Sequence, residues 1–209
     1  MFQDVLDFFD KMDSFCLIGY SFGSIIAMKL VKELENRGKK GRLLLIDGSP
    51  LFVKSIVEFH GNSDKFEEYA ENFVIAKIIA LEYSEKNENV ARAVFLHSNW
   101  EDKITELSKY RDEAQDYSEG FYRKSITALK NRVKILMKID LNDIKILGST
   151  SISLFRSSQT PMQIMAEDYG LSRYSSQKIN VRSVEGDHST ILDNPELAKL
   201  INEFSIDLN

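Results

Sequence analysis

Gly19-Tyr20-Ser21-Phe22-Gly23 constrains this chain more than any other stretch of it. It is a G-x-S-x-G set directly after a short apolar run, Phe15 to Ile18, and directly before a helical run, Ser24 to Leu34. A nucleophile elbow needs that context, because its serine occupies a sharp, strained turn between strand and helix. Small residues two positions to either side let the two elements approach closely. The turn lifts the hydroxyl above the sheet and sets the next backbone N–H, that of Phe22, beside the reacting carbon as an oxyanion donor. The five-residue motif alone arises by chance, since glycine is about 7% of residues. Its position between strand and helix gives it weight.

Around the elbow the chain alternates strand and helix. Phe2, Val5, Leu6, Phe8, Phe9 and Met12 form a helical stripe. A polar loop from Asn36 to Arg42, punctuated by Gly38 and Gly41, leads into Leu43-Leu44-Leu45-Ile46. That continuous apolar run suits a strand buried on both faces of a parallel sheet, and Asp47-Gly48-Ser49-Pro50 ends it in a turn. Strand signals return at Ile152–Phe155 and Ile179–Val184. A last helix follows, with Asn194 as its cap and Pro195 at its first position. Alternation of this kind predicts an α/β fold with a parallel sheet. From about Ser55 to Asp143 the sequence is charged and helical instead. At about 90 residues the block is too long for a crossover, and it reads as an inserted lid. The expected division is a core of residues 1–54 and 144–209 with residues 55–143 inserted.

A serine nucleophile needs a base, and the base needs an acid to hold its tautomer. The chain has three histidines, His60, His97 and His188. Only His188, in Val184-Glu185-Gly186-Asp187-His188, comes just past a predicted strand, where a glycine-containing loop can swing an imidazole over the sheet edge. For the acid there are two candidates. Asp47 ends the strand next to the elbow, and catalytic groups gather at the carboxyl ends of parallel strands. Asp168 follows the later strand Ile152–Phe155 only after a gap, because Arg156-Ser157-Ser158-Gln159-Thr160 holds no carboxylate. Asp47 is favoured. Asp187, adjacent to His188, would point the wrong way to orient its neighbour's ring.

Composition narrows the remaining classes. Acidic residues outnumber basic ones for a net charge of −5, and lysine and arginine are scattered, which argues against a nucleic-acid surface. No apolar run reaches the roughly 18 residues of a membrane span, and Met1-Phe2-Gln3-Asp4 lacks the basic start of a secretory signal. The single cysteine, Cys16, reads as a small buried hydrophobe in a reduced, cytoplasmic setting. There is no Cys/His cluster with metal-ligand spacing, and no cofactor is expected.

Three segments carry a family resemblance. Gly19-Tyr20-Ser21-Phe22-Gly23, Leu45-Ile46-Asp47-Gly48-Ser49-Pro50 and Val184-Glu185-Gly186-Asp187-His188 resemble the catalytic segments of the thioesterase domain at the end of animal-type fatty acid synthase, an α/β-hydrolase. Phe121-Tyr122-Arg123-Lys124, Leu154-Phe155-Arg156 and Glu167-Asp168-Tyr169-Gly170-Leu171 agree in order with its last lid helix, the following strand and the loop before the final strand. The resemblance implies Ser21 as nucleophile, His188 as general base and then acid, and Asp47 as the orienting carboxylate. It implies release of a free fatty acid of about sixteen carbons from the phosphopantetheine arm of an acyl carrier domain, the lid forming the acyl groove. The alternatives are a stand-alone thioesterase or carboxylesterase with the same triad, and a catalytically impaired fragment or interaction module.

One departure from that family is plain in the sequence. Only about 14 residues precede Phe15, room for a helix and no strand, whereas a complete α/β-hydrolase has several strands upstream, one of which leads to the second oxyanion donor. The resemblance therefore implies an amino-terminally truncated fold: about four strands, an open sheet edge prone to association, and the Phe22 amide as the one evident oxyanion donor. Such a chain is expected to aggregate and to hydrolyse acyl thioesters poorly, since a missing donor costs roughly 10²–10³ in rate.

Overall fold

A computed structural model describes residues 2–57, 65–82, 87–111, 118–160 and 165–206. The chain divides into two compact units, Met1–Ile56 with Asp140–Asn209, and Val57–Ile139.

The first unit is built on four parallel strands in the order β1-β2-β3-β4: β1 Ser14–Tyr20, β2 Lys40–Ile46, β3 Ser151–Ser157 and β4 Asn180–Val184. The α/β architecture read from the sequence is therefore the observed one. Leu17 pairs with Leu43 and Leu43 with Ile152, so the central strands share an apolar register. Leu43, Leu44 and Leu45 are fully buried, and each such side chain contributes about 1.5–3 kcal/mol relative to exposure. Side chains alternate across a strand. Leu44 and Ile46 thus face the cluster of Phe155, Val184, Ile191 and Leu197, against which Leu200, Ile201 and Phe204 of the last helix pack.

Helices and short turns frame that sheet. Helix α1 (Phe2–Asp10) precedes β1, and α2 (Gly23–Asn36) follows it, burying Ile25, Met28, Val31 and Leu34 at helical spacing. Helix α3 (Pro50–Ile56) grows directly out of the turn after β2. The sequence reading stopped at the turn, although proline at a first helical position favours a helix start. Beyond the second unit, the carboxyl-terminal helix (Pro195–Ile206) is capped by Asn194, whose Oδ1 accepts the Glu196 N–H at 2.9 Å.

Strands β1, β2 and β3 are each longer than the sequence suggests. Lys40-Gly41-Arg42 belongs to β2 rather than to a loop, because it pairs with Ser14-Phe15-Cys16. Cys16 is half-buried, not fully buried as expected. It lies on β1, an edge strand of the described sheet, where Ile18 is also 51% exposed. Burial still pushes the Cys16 thiol up, with Arg42 pulling it partly back.

The second unit is helical: α4 (Phe66–Glu82), α5 (Asn87–Phe95), α6 (Trp100–Ser108) and α7 (Glu119–Lys138), which leaves the helix before the chain's end as α8. Its core takes Val74 and Ile78 from α4, Ile104 from α6 and Tyr122, Ile126 and Val133 from α7. Inside it, the Lys130 ammonium lies 4.2 Å from the Trp100 ring centre, 3.3 Å from Glu71 and 3.2 Å from Glu67. Among the described residues no helix is long and apolar enough to cross a membrane.

Candidate active site

The turn from β1 into α2 is a strained elbow. Ser21 has φ 51°, in the left-handed region that costs a non-glycine residue free energy. Gly19 is required there, since a Cβ at that position would lie 2.9 Å from both Gly23 O and Ser24 Cα. Gly23 is not: a Cβ at that position would meet nothing within 4 Å. The second motif glycine therefore does no steric work, contrary to the symmetrical argument from sequence. A different glycine does. A Cβ at Gly48 would lie 2.7 Å from Ser21 O, so the loop after β2 passes directly against the nucleophile's backbone.

Strand pairing carries the register into the site. The Ser21 N–H donates to Ile46 O at 3.1 Å, and the Asp47 N–H donates to Phe155 O at 2.8 Å. Ser21 and Asp47 are thereby fixed at neighbouring strand ends. Asp47 also has a positive φ, 40°, and is fully buried.

His188 arrives from the far side of the sheet, past β4. Its loop is shaped by Asp187, whose Oδ1 accepts the Ser189 and Thr190 N–H groups at 2.8 and 2.9 Å. Asp187 thus builds the loop and leaves the ring to others. His188 Nδ1 lies 2.7 Å from Asp47 Oδ2, and Nε2 lies 2.9 Å from Ser21 Oγ. An ionised Asp47 accepts from Nδ1–H, which leaves Nε2 bare to accept the Ser21 hydroxyl proton. Tyr20 steadies the imidazole: its ring stacks on His188 at 5.1 Å and its hydroxyl donates to His188 O at 2.5 Å.

The electrostatics favour an anionic Asp47. Burial pushes its carboxyl up, but hydrogen bonds from His188, the Tyr169 hydroxyl and the Ser157 N–H outweigh that, and the net displacement is below the ordinary carboxylate range. In the sequence Tyr169 stands only as part of the loop segment Glu167–Leu171, and no spacing marks it for a role at the site.

The remaining candidates stand apart. Asp168, the rival acid, accepts the Gly170 and Ser172 N–H groups, both at 2.9 Å, and so organises a turn. His97 is in the helical unit, 3.6 Å from Glu106. His60 lies outside the described residues. Phe22, at the start of α2, offers one of the amino-terminal N–H groups that a helix leaves without an internal partner. Among the described residues no group of three or more His, Cys, Asp or Glu side chains could hold a metal ion.

The family model for the thioesterase domain matches residues 3–205. The chain belongs to the thioesterase-domain family. Solved structures of similar fold include the Vlm2 thioesterase domain bound with a dodecadepsipeptide, at TM-score 0.62 and 18% identity over 97% of this chain and 72% of that one. Another is human thioesterase 2, at TM-score 0.53 and 17% identity over 98% and 78%. The type II thioesterase BorB from the borrelidin biosynthetic cluster is similar at TM-score 0.55 and 14% identity over 98% and 67%. At these identities the likeness is one of fold. Membership of the thioesterase-domain family rests on the match over residues 3–205.

Proposed function

We propose that the chain is a serine thioester hydrolase acting on a fatty acyl group carried on the phosphopantetheine arm of an acyl carrier domain, in a reduced cytoplasmic setting and without a cofactor. The observation that carries this reading is the unbroken relay Ser21 Oγ, His188 Nε2, His188 Nδ1, Asp47 Oδ2, with steps of 2.9 and 2.7 Å.

Chemistry follows from that relay. Ser21 Oγ attacks the thioester carbonyl carbon while its proton passes to His188 Nε2. The carbonyl oxygen becomes an oxyanion beside the Phe22 N–H. Collapse breaks the C–S bond, and the imidazolium returns the proton to the leaving thiolate. Water then gives a proton to His188, attacks the acyl-Ser21 ester, and releases the fatty acid as Ser21 regains its proton. Asp47 holds the imidazole's orientation throughout and stabilises the imidazolium.

A chain of about sixteen carbons is the substrate length the sequence resemblance suggests, with residues 55–143 as the lid that receives it; each methylene buried there is worth at most about 0.8 kcal/mol. The experiment is a comparison of kcat/KM for acyl-pantetheine thioesters of rising chain length with that for a short oxygen ester. Rising values with length, and a poor oxygen ester, support the fatty acyl reading. The reverse order would make this a carboxylesterase. A second reading, a stand-alone thioesterase, is in keeping with the fold likeness to the type II thioesterase BorB; it predicts a flat response to chain length.

A further inference from the structure

Among the described residues, three non-glycine positions have positive φ: Ser21 at 51°, Asp47 at 40° and Tyr169 at 54°. The first two are the proposed nucleophile and its acid. Backbone strain of this kind persists only where surroundings enforce it, and it gathers at functional sites. The third therefore invites the same question.

Tyr169 is fully buried, and its hydroxyl donates to Asp47 Oδ1 at 2.6 Å. His188 occupies the other carboxylate oxygen, Oδ2. The loop after β2 grips Tyr169 at its backbone too, since Ser49 Oγ donates to Tyr169 O at 2.7 Å and accepts the Phe52 N–H at 3.0 Å. Phe52 stacks on the phenol at 4.4 Å, and the Arg156 guanidinium lies 5.3 Å from the ring centre. Asp168 builds the turn that presents the ring, through its bonds to the Gly170 and Ser172 N–H groups.

We infer that Tyr169 is a positioning residue of the reaction, acting through Asp47: its hydroxyl locks the carboxylate rotamer and sets how strongly that carboxylate holds the His188 imidazolium. The inference rests on the catalytic reading of Ser21, His188 and Asp47 given above. Burial and the neighbouring Asp47 push the Tyr169 phenol up, so it remains a donor across the working pH range. Removing the donor leaves Oδ1, among the described residues, with the Ser157 N–H at 2.9 Å. A less well-solvated Asp47 is more basic and favours the imidazolium, so a higher pH is needed to free the base. The other groups facing this pair are Tyr20 and Asp187 around His188, and Arg156 and Thr160 around Tyr169. They stay in place in the variants below.

The test is the rate of fluorophosphonate labelling of Ser21 as a function of pH, in the wild-type chain, in Tyr169→Phe, and with 3-fluorotyrosine placed at position 169. Tyr169→Phe is expected to label about tenfold more slowly, the worth of roughly one buried hydrogen bond, with its acid limb moved up by about half a pH unit or more. Fluorotyrosine, a stronger donor differing by one atom, moves the limb down. If Tyr169→Phe does not fold, the fluorotyrosine chain decides alone. Acid limbs that coincide with the wild type, whatever the rates, overturn the inference and reduce Tyr169 to packing. A folded wild-type chain that takes no label overturns the catalytic reading and this inference together.

Discussion

Gly48 passes so close to Ser21 that a Cβ there would lie 2.7 Å from Ser21 O and 2.9 Å from Ser21 N. The loop that delivers Asp47 is thus also the floor on which the strained serine rests. Acid and nucleophile are coupled through backbone contact as well as through His188.

Gly48→Ala should therefore displace the nucleophile without emptying the core. A shift of about 1 Å at a reacting group can cost on the order of 10²-fold in rate. The expected result is a folded variant, by thermal melt, whose thioester turnover falls by about that factor. Gly23→Ala, at a site with open space around it, should keep most of its turnover. Equal losses in both would mean that the elbow's glycines act through chain flexibility rather than contact.

Asp47→Asn would present a neutral amide to His188 and favour the wrong tautomer. A loss of about 10⁴ in kcat is expected from that change, on the pattern of other triads. Because the Asp47 carboxyl sits below the ordinary range, the wild type keeps it ionised throughout the pH range in which a histidine base titrates. The carboxylate's stabilising contribution is present above the ordinary aspartate range and is lost only as pH falls through its lowered folded value. The acid limb of kcat/KM should accordingly be a single titration. Two titrations on that limb would count against an ionised Asp47.

Glu35 ties the stability of the fold to pH. Its carboxylate accepts the Gly148, Ser149 and Thr150 N–H groups, each at 2.9 Å, and the Thr150 hydroxyl at 2.8 Å, tying α2 to the turn before β3. Burial pushes the carboxyl up, yet these bonds outweigh it and bring it down to about 2. A lowered folded value gives stability that is complete above about 4.5, the unfolded value, and fades between there and about 2. Glu35→Gln should cost about 1–2 kcal/mol at neutral pH once solvent screening is allowed for, and the gap from wild type should close near pH 2. Denaturant melts at neutral and acid pH would show it; a gap independent of pH would assign the cost to packing.

The helical unit holds its own buried charge cluster. Glu71 is 3.3 Å from Lys130 and 3.8 Å from Lys103, and both lysines are buried. Glu71→Ala would leave Lys130 to Glu67 at 3.2 Å and Lys103 to Asn72 Oδ1 at 2.9 Å, so the expected cost is that of lost charge-assisted hydrogen bonds, about 1.5–3 kcal/mol. Fluorescence of Trp100, the chain's single tryptophan and a neighbour of Lys130, should report unfolding of this unit at lower denaturant. An unchanged midpoint would show that solvent compensates the lysines.

Legibility in the sequence divides along physical lines. The fully buried strand Leu43–Ile46 announced itself, because burial on both faces leaves a continuous apolar run. Its first half did not: Lys40, Gly41 and Arg42 are strand only through pairing with Ser14, Phe15 and Cys16, a tertiary fact that overrides polarity. Cys16 reads as buried from its residue type alone, while its place on the edge strand β1 leaves it half-buried. Ser21, Asp47 and His188 were readable as strand-end residues in turn-forming contexts. Tyr169 was not, although the turn that carries it was visible in Asp168 and Gly170. Its partner lies 122 residues away, and no local spacing encodes that distance.

The central claim is that Ser21 carries the acyl group. Rapid quenching of the wild-type chain with a long-chain acyl-pantetheine thioester, followed by peptide mass analysis, tests it most directly. The account predicts an acyl ester on the peptide containing Ser21, and neither adduct nor turnover in Ser21→Ala. Thioester turnover that survives in Ser21→Ala would contradict it.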